Sequence, residues 1–179
     1  MKHGIFAGGC FWCTEAVFNR LKGVNNVKSG YTGGFIKNPP YREVCQGRTG
    51  HTEGISFDYD ETLISYVDLL GVFFSTHDPT TLNRQANDVG TQYRSAIFYT
   101  DNEQYEIAKE YIQSLDEAKI FPDPIVTELK PLDVFYDAEN DHDNYYDLNR
   151  NQPYCTYLID PKIKKLTTHF KTRVPTRHH

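Results

Sequence analysis

The segment that most constrains this chain is Gly-Gly-Cys-Phe-Trp-Cys, at positions 8–13, because it joins a strand to a helix within a few residues. The apolar residues 5–7 before it are typical of the end of a buried strand. The two glycines then allow a sharp backbone turn, and apolar side chains recur at helical spacing over residues 13–21. Cys10 is therefore predicted to lie at a strand-to-helix turn, beside the first free N–H groups of the helix.

Cys10 is the first candidate nucleophile. The positive end of a helix dipole favours a thiolate over a thiol, and Cys13 completes the Cys-x-x-Cys spacing in which thiol pKa values fall. Phe11 and Trp12, the latter the chain's single Trp, add two large rings on which an S-methyl group packs well. The structural alternative is that Cys10 is a small buried hydrophobe and that both rings belong to the core.

The order of predicted elements indicates the fold class. Strand–helix–strand occurs twice without an internal repeat, which predicts an α/β (α+β) two-layer sandwich with a ferredoxin-like mixed sheet, flanking helices and long irregular loops. We expect one catalytic domain over residues 1–179, with a C-terminal docking helix near 161–171 that Asp160-Pro161 opens. The predicted strands are residues 5–7, 24–29, 55–59, 95–99 and 125–129, and the other predicted helices are 13–21, 41–46, 63–76 and one capped by Asp101.

Three connecting segments carry polar or flexible residues. Residues 30–34 contain three glycines and are predicted to form a loop that a ligand can approach, and Glu53 lies at the mouth of the strand that follows residues 50–54. Residues 77–94 form a long polar loop with Asp88 and Tyr93, each able to hydrogen-bond a ligand or simply to brace the loop. Residues 135–136 and 141–146 are predicted to be irregular or briefly helical.

Composition excludes several classes of protein. A net charge of −5 argues against nucleic acid as a partner, and no apolar run approaches the length of a membrane span. A hydrophobic content of 39% fits a globular protein. Four cysteines in 179 residues favour reduced thiols with a redox or metal role over a disulfide scaffold, so the cytoplasm is the expected compartment.

Several blocks in order resemble the peptide methionine sulfoxide reductase A family, over roughly residues 5–157. The blocks are Gly-Cys-Phe-Trp at 9–12, Gly-Tyr-Thr-Gly-Gly at 30–34, Asn-Pro-Pro-Tyr at 38–41, Gly-His-Thr-Glu at 50–53, His-Asp-Pro at 77–79 and Gly-Thr-Gln-Tyr-Arg-Ser at 90–95. The resemblance implies reduction of the S epimer of methionine sulfoxide, free or peptide-bound, without a cofactor, by a monomer. Attack at the sulfoxide sulfur places negative charge on its oxygen, so a carboxylic acid of raised pKa is needed as proton donor.

The resemblance also assigns roles by position. It implies Cys10 as the attacking thiol and Glu53 as the acid that protonates the departing oxygen. It further implies Tyr41 and Tyr93 as donors to that oxygen, Asp88 as a polar wall, and Phe11 and Trp12 as the rings that hold the substrate methyl group. In this family the attacking thiol becomes a sulfenic acid, a second thiol condenses with it, and thioredoxin reduces the resulting disulfide.

The second thiol is left open between two cysteines. Cys155 falls where the family's usual resolving cysteine lies, and we favour it narrowly because a Cys10–Cys13 disulfide requires the helix start to deform. Cys45 is expected to be structural. The chain departs from the family at Val89, where some members have His, at Asp143, where Gln is common, and in lacking a Gly-rich, Cys-bearing tail.

Two other functions use the same cysteines. A general thiol–disulfide oxidoreductase requires only Cys10 and Cys13 and does not need Glu53. A zinc-stabilised binding module requires all four cysteines as ligands, although such sites usually pair two Cys-x-x-Cys knuckles and this chain has one. The histidines at 3, 51, 77 and 142 are expected to be structural or surface residues and not metal ligands.

Overall fold

The computed structural model describes residues 1–139, 142 and 144–169. The strands are β1 (Lys2–Ala7), β2 (Val24–Thr32), β3 (Thr52–Tyr59), β4 (Arg84–Gln85), β5 (Asp88–Val89), β6 (Ala96–Tyr99), β7 (Glu128–Pro131) and β8 (Phe135–Asp137). The helices are α1 (Phe11–Phe18), α2 (Tyr41–Cys45), α3 (Tyr66–Thr76), α4 (Asn102–Glu117), α5 (Tyr145–Leu148) and α6 (Asp160–His169). A 3₁₀ turn covers Thr91–Tyr93, and a π-helical turn, Cys155–Ile159, leads directly into α6.

Six strands form one mixed sheet in the order β7-β6-β1-β3-β2-β8. All neighbours pair antiparallel except β6 and β7, which run parallel. Helix α1 connects β1 to β2 and α3 lies between β3 and β6, so the central order β6-β1-β3-β2 is that of a ferredoxin-like fold. The predicted α/β sandwich with a mixed sheet is therefore confirmed, and β4 and β5 form a separate small hairpin inside the predicted loop 77–94.

Strand β1 is buried on both faces, which fixes the turn that follows it. Phe6 points into the main core, where its ring lies 5.4 Å from Phe57 and 4.8 Å from Phe73, measured between ring centroids. Its neighbours Ile5 and Ala7 point into a second, smaller cluster on the other face. Burial of one aromatic side chain contributes about 2–3 kcal/mol, so the end of β1 and Cys10 after it are held firmly.

The sheet is longer at one edge than the sequence predicts. Residues 30–32, predicted to be a loop, continue β2, and residues 135–136, predicted to be irregular, pair with them as β8. Gly30 makes this pairing possible, because a Cβ atom there would lie 2.3 Å from the Tyr136 carbonyl oxygen. The glycine therefore brings another strand close instead of opening a loop.

Other boundaries shift for local reasons. Helix α3 begins after Ser65, whose side chain forms a capping box with Asp68, and the predicted start at Leu63 lies outside it. Asp101 caps α4 through Gln104 N–H, as predicted. Asp160 caps nothing, because the π-helical turn before it continues into α6 without a break. Asp143 and residues 170–179, which include the end of the expected docking helix, lie outside the described residues.

We expect Gly30→Ala to destabilise the fold by about 1–3 kcal/mol, because the added methyl group overlaps backbone and the Phe135 ring. Urea unfolding measures the effect. Gly71→Ala, inside α3, is the matched control and is expected to be neutral or stabilising by up to about 1 kcal/mol. Equal unfolding midpoints for both variants and the wild type contradict the prediction.

Candidate active site

Cys10 lies where the sequence predicts, at the turn between β1 and α1. It is the N-cap residue of α1, with extended backbone, and its carbonyl oxygen accepts from Cys13 N–H at 3.1 Å. Gly9 before it adopts a φ of +92° and packs on Gln85, so a residue with a Cβ atom is disfavoured there. Cys10 and Cys13 are 7% and 4% exposed, respectively.

Glu53 is brought to this turn by β3, the strand that pairs with β1. Its side chain is 1% exposed, and its Oε1 accepts from the Phe11 backbone N–H at 3.3 Å. Its Oε2 is buried without a hydrogen-bond partner. Burial raises the pKa of Glu53 to about 8 and Asp88 adds to the rise, while hydrogen bonds to Phe11 N–H and Cys10 oppose it. Glu53 is therefore a protonated acid at neutral pH.

The pKa of Cys10 corrects a prediction. Burial raises it well above the ordinary value, and the charges of Glu53 and Cys13 act in the same direction. The opposing effects of hydrogen bonds with the Tyr154 hydroxyl group and the Trp12 backbone are weaker. The helix start therefore does not make Cys10 a ready thiolate, because enclosure outweighs the helix dipole. When Glu53 is protonated, its contribution to this rise is removed.

Tyr41 and Tyr93 approach the acid from two different elements. Tyr41 opens α2, and its backbone N–H donates to Glu139 Oε1 at 3.1 Å. Tyr93 ends the 3₁₀ turn. Burial raises the pKa of both phenols, and the nearby charge of Glu53 raises it further, so both hydroxyl groups remain donors.

A set of buried hydrogen bonds joins β3, the 3₁₀ turn and α2. Thr52 Oγ1 donates to the carbonyl oxygens of Gln92 and Arg94, at 3.1 Å each, and so ties the start of β3 to the turn that carries Tyr93. Gln92 Nε2 in turn donates to the Cys45 carbonyl oxygen at 2.8 Å, which ties that turn to α2. These hydrogen bonds fix the position of Glu53 relative to the Tyr41 and Tyr93 side chains.

The two rings that follow Cys10 have different surroundings. Trp12 is partly buried and stacks on Tyr145, with centroids 3.7 Å apart and an interplanar angle of 8°. Its indole N–H donates to His142 Nδ1 at 3.2 Å. Phe11 is wholly buried and stacks against Tyr41, with centroids 6.2 Å apart. Trp12 is therefore the more accessible of the two rings, and Phe11 belongs to the core.

Asp88 reaches the thiols through a residue that the sequence analysis missed. Tyr154 donates its hydroxyl proton to Asp88 Oδ2 at 2.8 Å, and its oxygen lies 3.6 Å from Cys13 Sγ. Because the hydroxyl proton of Tyr154 is donated to Asp88, the Cys13 thiol is the donor in its contact with the Tyr154 oxygen. The sequence signal that could have identified Tyr154 as a site residue is its position next to the candidate Cys155.

The remaining cysteines differ in position. Cys155 is fully buried in the π-helical turn. Burial raises its pKa, and the nearby charge of Cys13 raises it further. Cys45 ends α2 near Tyr41 and is partly exposed. All four cysteines are unpaired. The structure thus places Cys13 one helical turn from Cys10, at the start of α1, and Cys155 in a separate element, the π-helical turn.

Glu139 and His142 are further residues of the site that sequence reasoning did not assign. Glu139 Oε2 accepts from the Tyr31 hydroxyl group at 3.1 Å and faces His142 Nε2 at 3.5 Å. His142 Nδ1 accepts from Trp12, so the proton of the neutral imidazole lies on Nε2, toward Glu139. His142 was expected to be structural, and it does brace the indole.

A cavity of about 660 Å³ opens on Cys10 and Cys13. Its other walls come from the α3–β4 connection, the β4–β5 hairpin, residues 121–123 and the start of α6. Within the part of the chain that the structure describes, no three His, Cys, Asp or Glu side chains gather to hold a metal ion. No helix among the same residues is long and apolar enough to cross a membrane.

The fold and the site together define a class: an α/β protein of ferredoxin-like topology whose buried thiol pair faces a buried carboxylic acid. A family model described as peptide methionine sulfoxide reductase matches residues 2–174. The chain belongs to the peptide methionine sulfoxide reductase family, as the sequence resemblance indicated.

Relatives and solved structures agree with that assignment. The chain is 54% identical over 169 residues to the Deinococcus radiodurans protein named peptide methionine sulfoxide reductase MsrA, covering 94% of this chain and 82% of that protein. Mxr1 from Saccharomyces cerevisiae in reduced form superposes with a TM-score of 0.76 at 33% identity, covering 86% and 88% of the two chains. Mxr1 in complex with Trx2 gives a TM-score of 0.52 at 25% identity, covering 80% and 84%.

Glu53 should make stability fall as the pH rises. The folded state keeps its proton up to about pH 8, whereas the unfolded chain loses it near the ordinary value of 4.5, so unfolding releases a proton between these values. From about pH 6 to about pH 9 the wild type should lose about 2–3 kcal/mol relative to Glu53→Gln. Urea unfolding of reduced protein at both pH values measures this.

The exposed Glu106 on α4 provides the control for that comparison. Glu106→Gln should follow the wild type at both pH values, because an exposed carboxylate gains little from neutralisation. Parallel pH dependence for Glu53→Gln and the wild type contradicts the buried-acid assignment.

Proposed function

We propose that this chain reduces methionine sulfoxide to methionine, using Cys10 as nucleophile and Glu53 as proton donor. One observation carries the proposal: a carboxylic acid that is protonated at neutral pH lies beside Cys10, with one oxygen buried and unpartnered. A substrate oxygen is the partner that such a group lacks. Membership of the family supports the same reaction.

The first step transfers oxygen from the substrate to the enzyme. The Cys10 sulfur attacks the sulfoxide sulfur while Glu53 protonates the sulfoxide oxygen. The oxygen then moves from the substrate sulfur to Cys10 Sγ as the transient S–S bond and the substrate S–O bond both break, so methionine leaves and Cys10 becomes a sulfenic acid. The thiol proton of Cys10 reprotonates Glu53, so the step consumes one thiol and one sulfoxide and yields one sulfenic acid and one thioether.

The walls of the site fix the orientation of the substrate. Trp12 presents its partly exposed ring to the substrate methyl group, and the buried Phe11 packs against Tyr41. Tyr41 and Tyr93 remain protonated and donate to the oxygen. Because methyl group and oxygen are held by different walls, the site can discriminate between the two epimers. The choice of the S epimer follows from the family resemblance.

The resolving thiol is Cys13 in this proposal. Cys13 raises the pKa of Cys10, both thiols contact Tyr154, and both line the same cavity. Cys155 is fully buried and does not line that cavity, so we place Cys13 ahead of the narrowly favoured Cys155 for the first disulfide. Cys-x-x-Cys at a helix start is itself an established setting for a disulfide.

Thioredoxin is the proposed reductant of that disulfide. The solved complex of Mxr1 with Trx2 supports this choice, since that protein shares the fold. Four unpaired cysteines fit a reducing compartment, so we propose the cytoplasm. The monomeric state that the family resemblance implies is part of the same proposal. Sedimentation of the reduced protein tests the monomer.

The acid role predicts the pH profile of the first step. Methionine formation from the S epimer should fall as the pH rises through about 8, because Glu53 then loses the proton it donates. Glu53→Gln should lose at least about 100-fold in rate and also this decline, and Cys10→Ser should be inactive. Quenched-flow measurements with separated epimers and dithiothreitol test this. A Glu53→Gln variant as fast as the wild type removes the acid role.

The disulfide predicts a peptide map. After one turnover without reductant, Cys10 should be joined to Cys13, and Cys155→Ser should give the same product at the same rate. Mass spectrometry of non-reduced digests identifies the pair, with Cys45→Ser as the control. A Cys10–Cys155 product that Cys13→Ser also forms assigns the resolving role to Cys155. Equal turnover of insulin disulfides and sulfoxide indicates a general oxidoreductase instead.

A further inference from the structure

The thiol pair has a second side, facing away from the acid and the rings. The 660 Å³ cavity is lined by both cysteines, His77, Tyr154, Lys162 and Lys165 among others. Phe11, Trp12, Tyr41, Glu53 and Tyr93 do not line it. The side chains that bind the sulfoxide in the proposed function therefore lie outside this cavity. The cavity side of Cys13 takes no part in the oxygen-transfer step.

Lys162 accompanies Cys13 on this side. The two residues line the large cavity together, and with His77 they also line a small enclosed void beneath it. Lys162 lies in the first turn of α6, whose buried Leu166 anchors the helix where it packs against α1 and α3. The placement of Lys162 against the first turn of α1 is thus fixed by helix packing.

The charges around Cys13 oppose one another. Lys162 lowers the pKa of the Cys13 thiol, whereas burial, Asp88 and Glu53 raise it. His77 supplies no positive charge at neutral pH, because burial and the charge of Lys162 lower its pKa to about 4. The other titratable groups that face Cys13 are Cys10, Tyr154 and Cys155, with Asp78 and Lys165 further along the cavity wall.

We propose that Lys162 activates Cys13 for the resolving step by stabilising its thiolate from the cavity side. This inference rests on the proposed function, in which Cys13 attacks the Cys10 sulfenic acid. A cation beside a thiol is the arrangement that makes cysteines nucleophilic in otherwise unfavourable surroundings. Lys162 does not touch the sulfoxide and acts through Cys13, so it is a positioning residue.

The resolving step balances without an external reductant. Cys13 loses its proton, and the thiolate electron pair forms the S–S bond to Cys10 while the S–O bond of the sulfenic acid breaks. The oxygen takes up a proton from Glu53 and leaves as water, and the proton released by Cys13 passes through solvent to restore Glu53. Cys13 sulfur is oxidised and Cys10 sulfur is reduced, giving one disulfide and one water molecule.

The pH dependence of Cys13 alkylation tests the electrostatic effect directly. In a Cys10→Ser background, iodoacetamide labelling of Cys13 is followed by peptide mass spectrometry from about pH 6 to about pH 10. Adding Lys162→Gln should raise the midpoint by about one pH unit, whereas Lys162→Arg should restore it. Lys165→Gln, one helical turn away and exposed, is the matched control and should leave the midpoint unchanged. Equal midpoints with and without Lys162 overturn the proposal, and a merely structural role predicts that equality.

Single-turnover kinetics then separate this inference from the proposed function. With the four cysteines intact, Lys162→Gln should release methionine at the wild-type rate but form the disulfide about tenfold more slowly at neutral pH. The sulfenic acid should accumulate and be trapped by dimedone. No methionine release by the wild type refutes the proposed function itself. Normal methionine release with normal disulfide formation in Lys162→Gln refutes only the role of Lys162.

Discussion

The site depends on one contact, the hydrogen bond from the Phe11 backbone N–H to Glu53 Oε1. The donor is one of the unpaired N–H groups at the start of α1, and the acceptor lies on β3, the strand paired with β1. A helix start and a buried carboxyl group thus satisfy one another. The same contact holds the acid beside Cys10, because Cys10 is the N-cap of that helix.

The contact provides a hydrogen bond to only one of the two carboxyl oxygens of Glu53, and this determines its protonation state. Glu53 Oε2 is buried without a partner, so the charged form is poorly solvated and the proton is retained to about pH 8. A second N–H donor would lower that pKa and improve stability, but it would occupy the position that the proposed reaction gives to the substrate oxygen. A buried group that is incompletely satisfied is typical of sites where chemistry takes place, so this feature supports the proposed role of Glu53.

The sequence was sufficient for elements whose signals are local. The turn at Cys10, the cap at Asp101 and the ferredoxin-like class follow from periodicity and from Gly and Asp placement. It was insufficient where a residue's neighbours come from distant segments. Strand β8 pairs through an exposed edge, the pKa of Cys10 depends on enclosure by several elements, and Tyr154 meets Asp88 across 66 positions.

Reduction of a sulfoxide by two thiols makes opposite electrostatic demands. Protonating the departing oxygen needs a dry, uncharged acid, whereas resolving the sulfenic acid needs a second sulfur that can ionise. One helical turn, about 5 Å along the axis, separates Cys10 from Cys13 and lets the two demands be met on different sides. Glu53 remains neutral on the ring side, and Lys162 supplies positive charge on the cavity side. Helix α1 therefore separates two environments that would cancel one another if they met at a single sulfur.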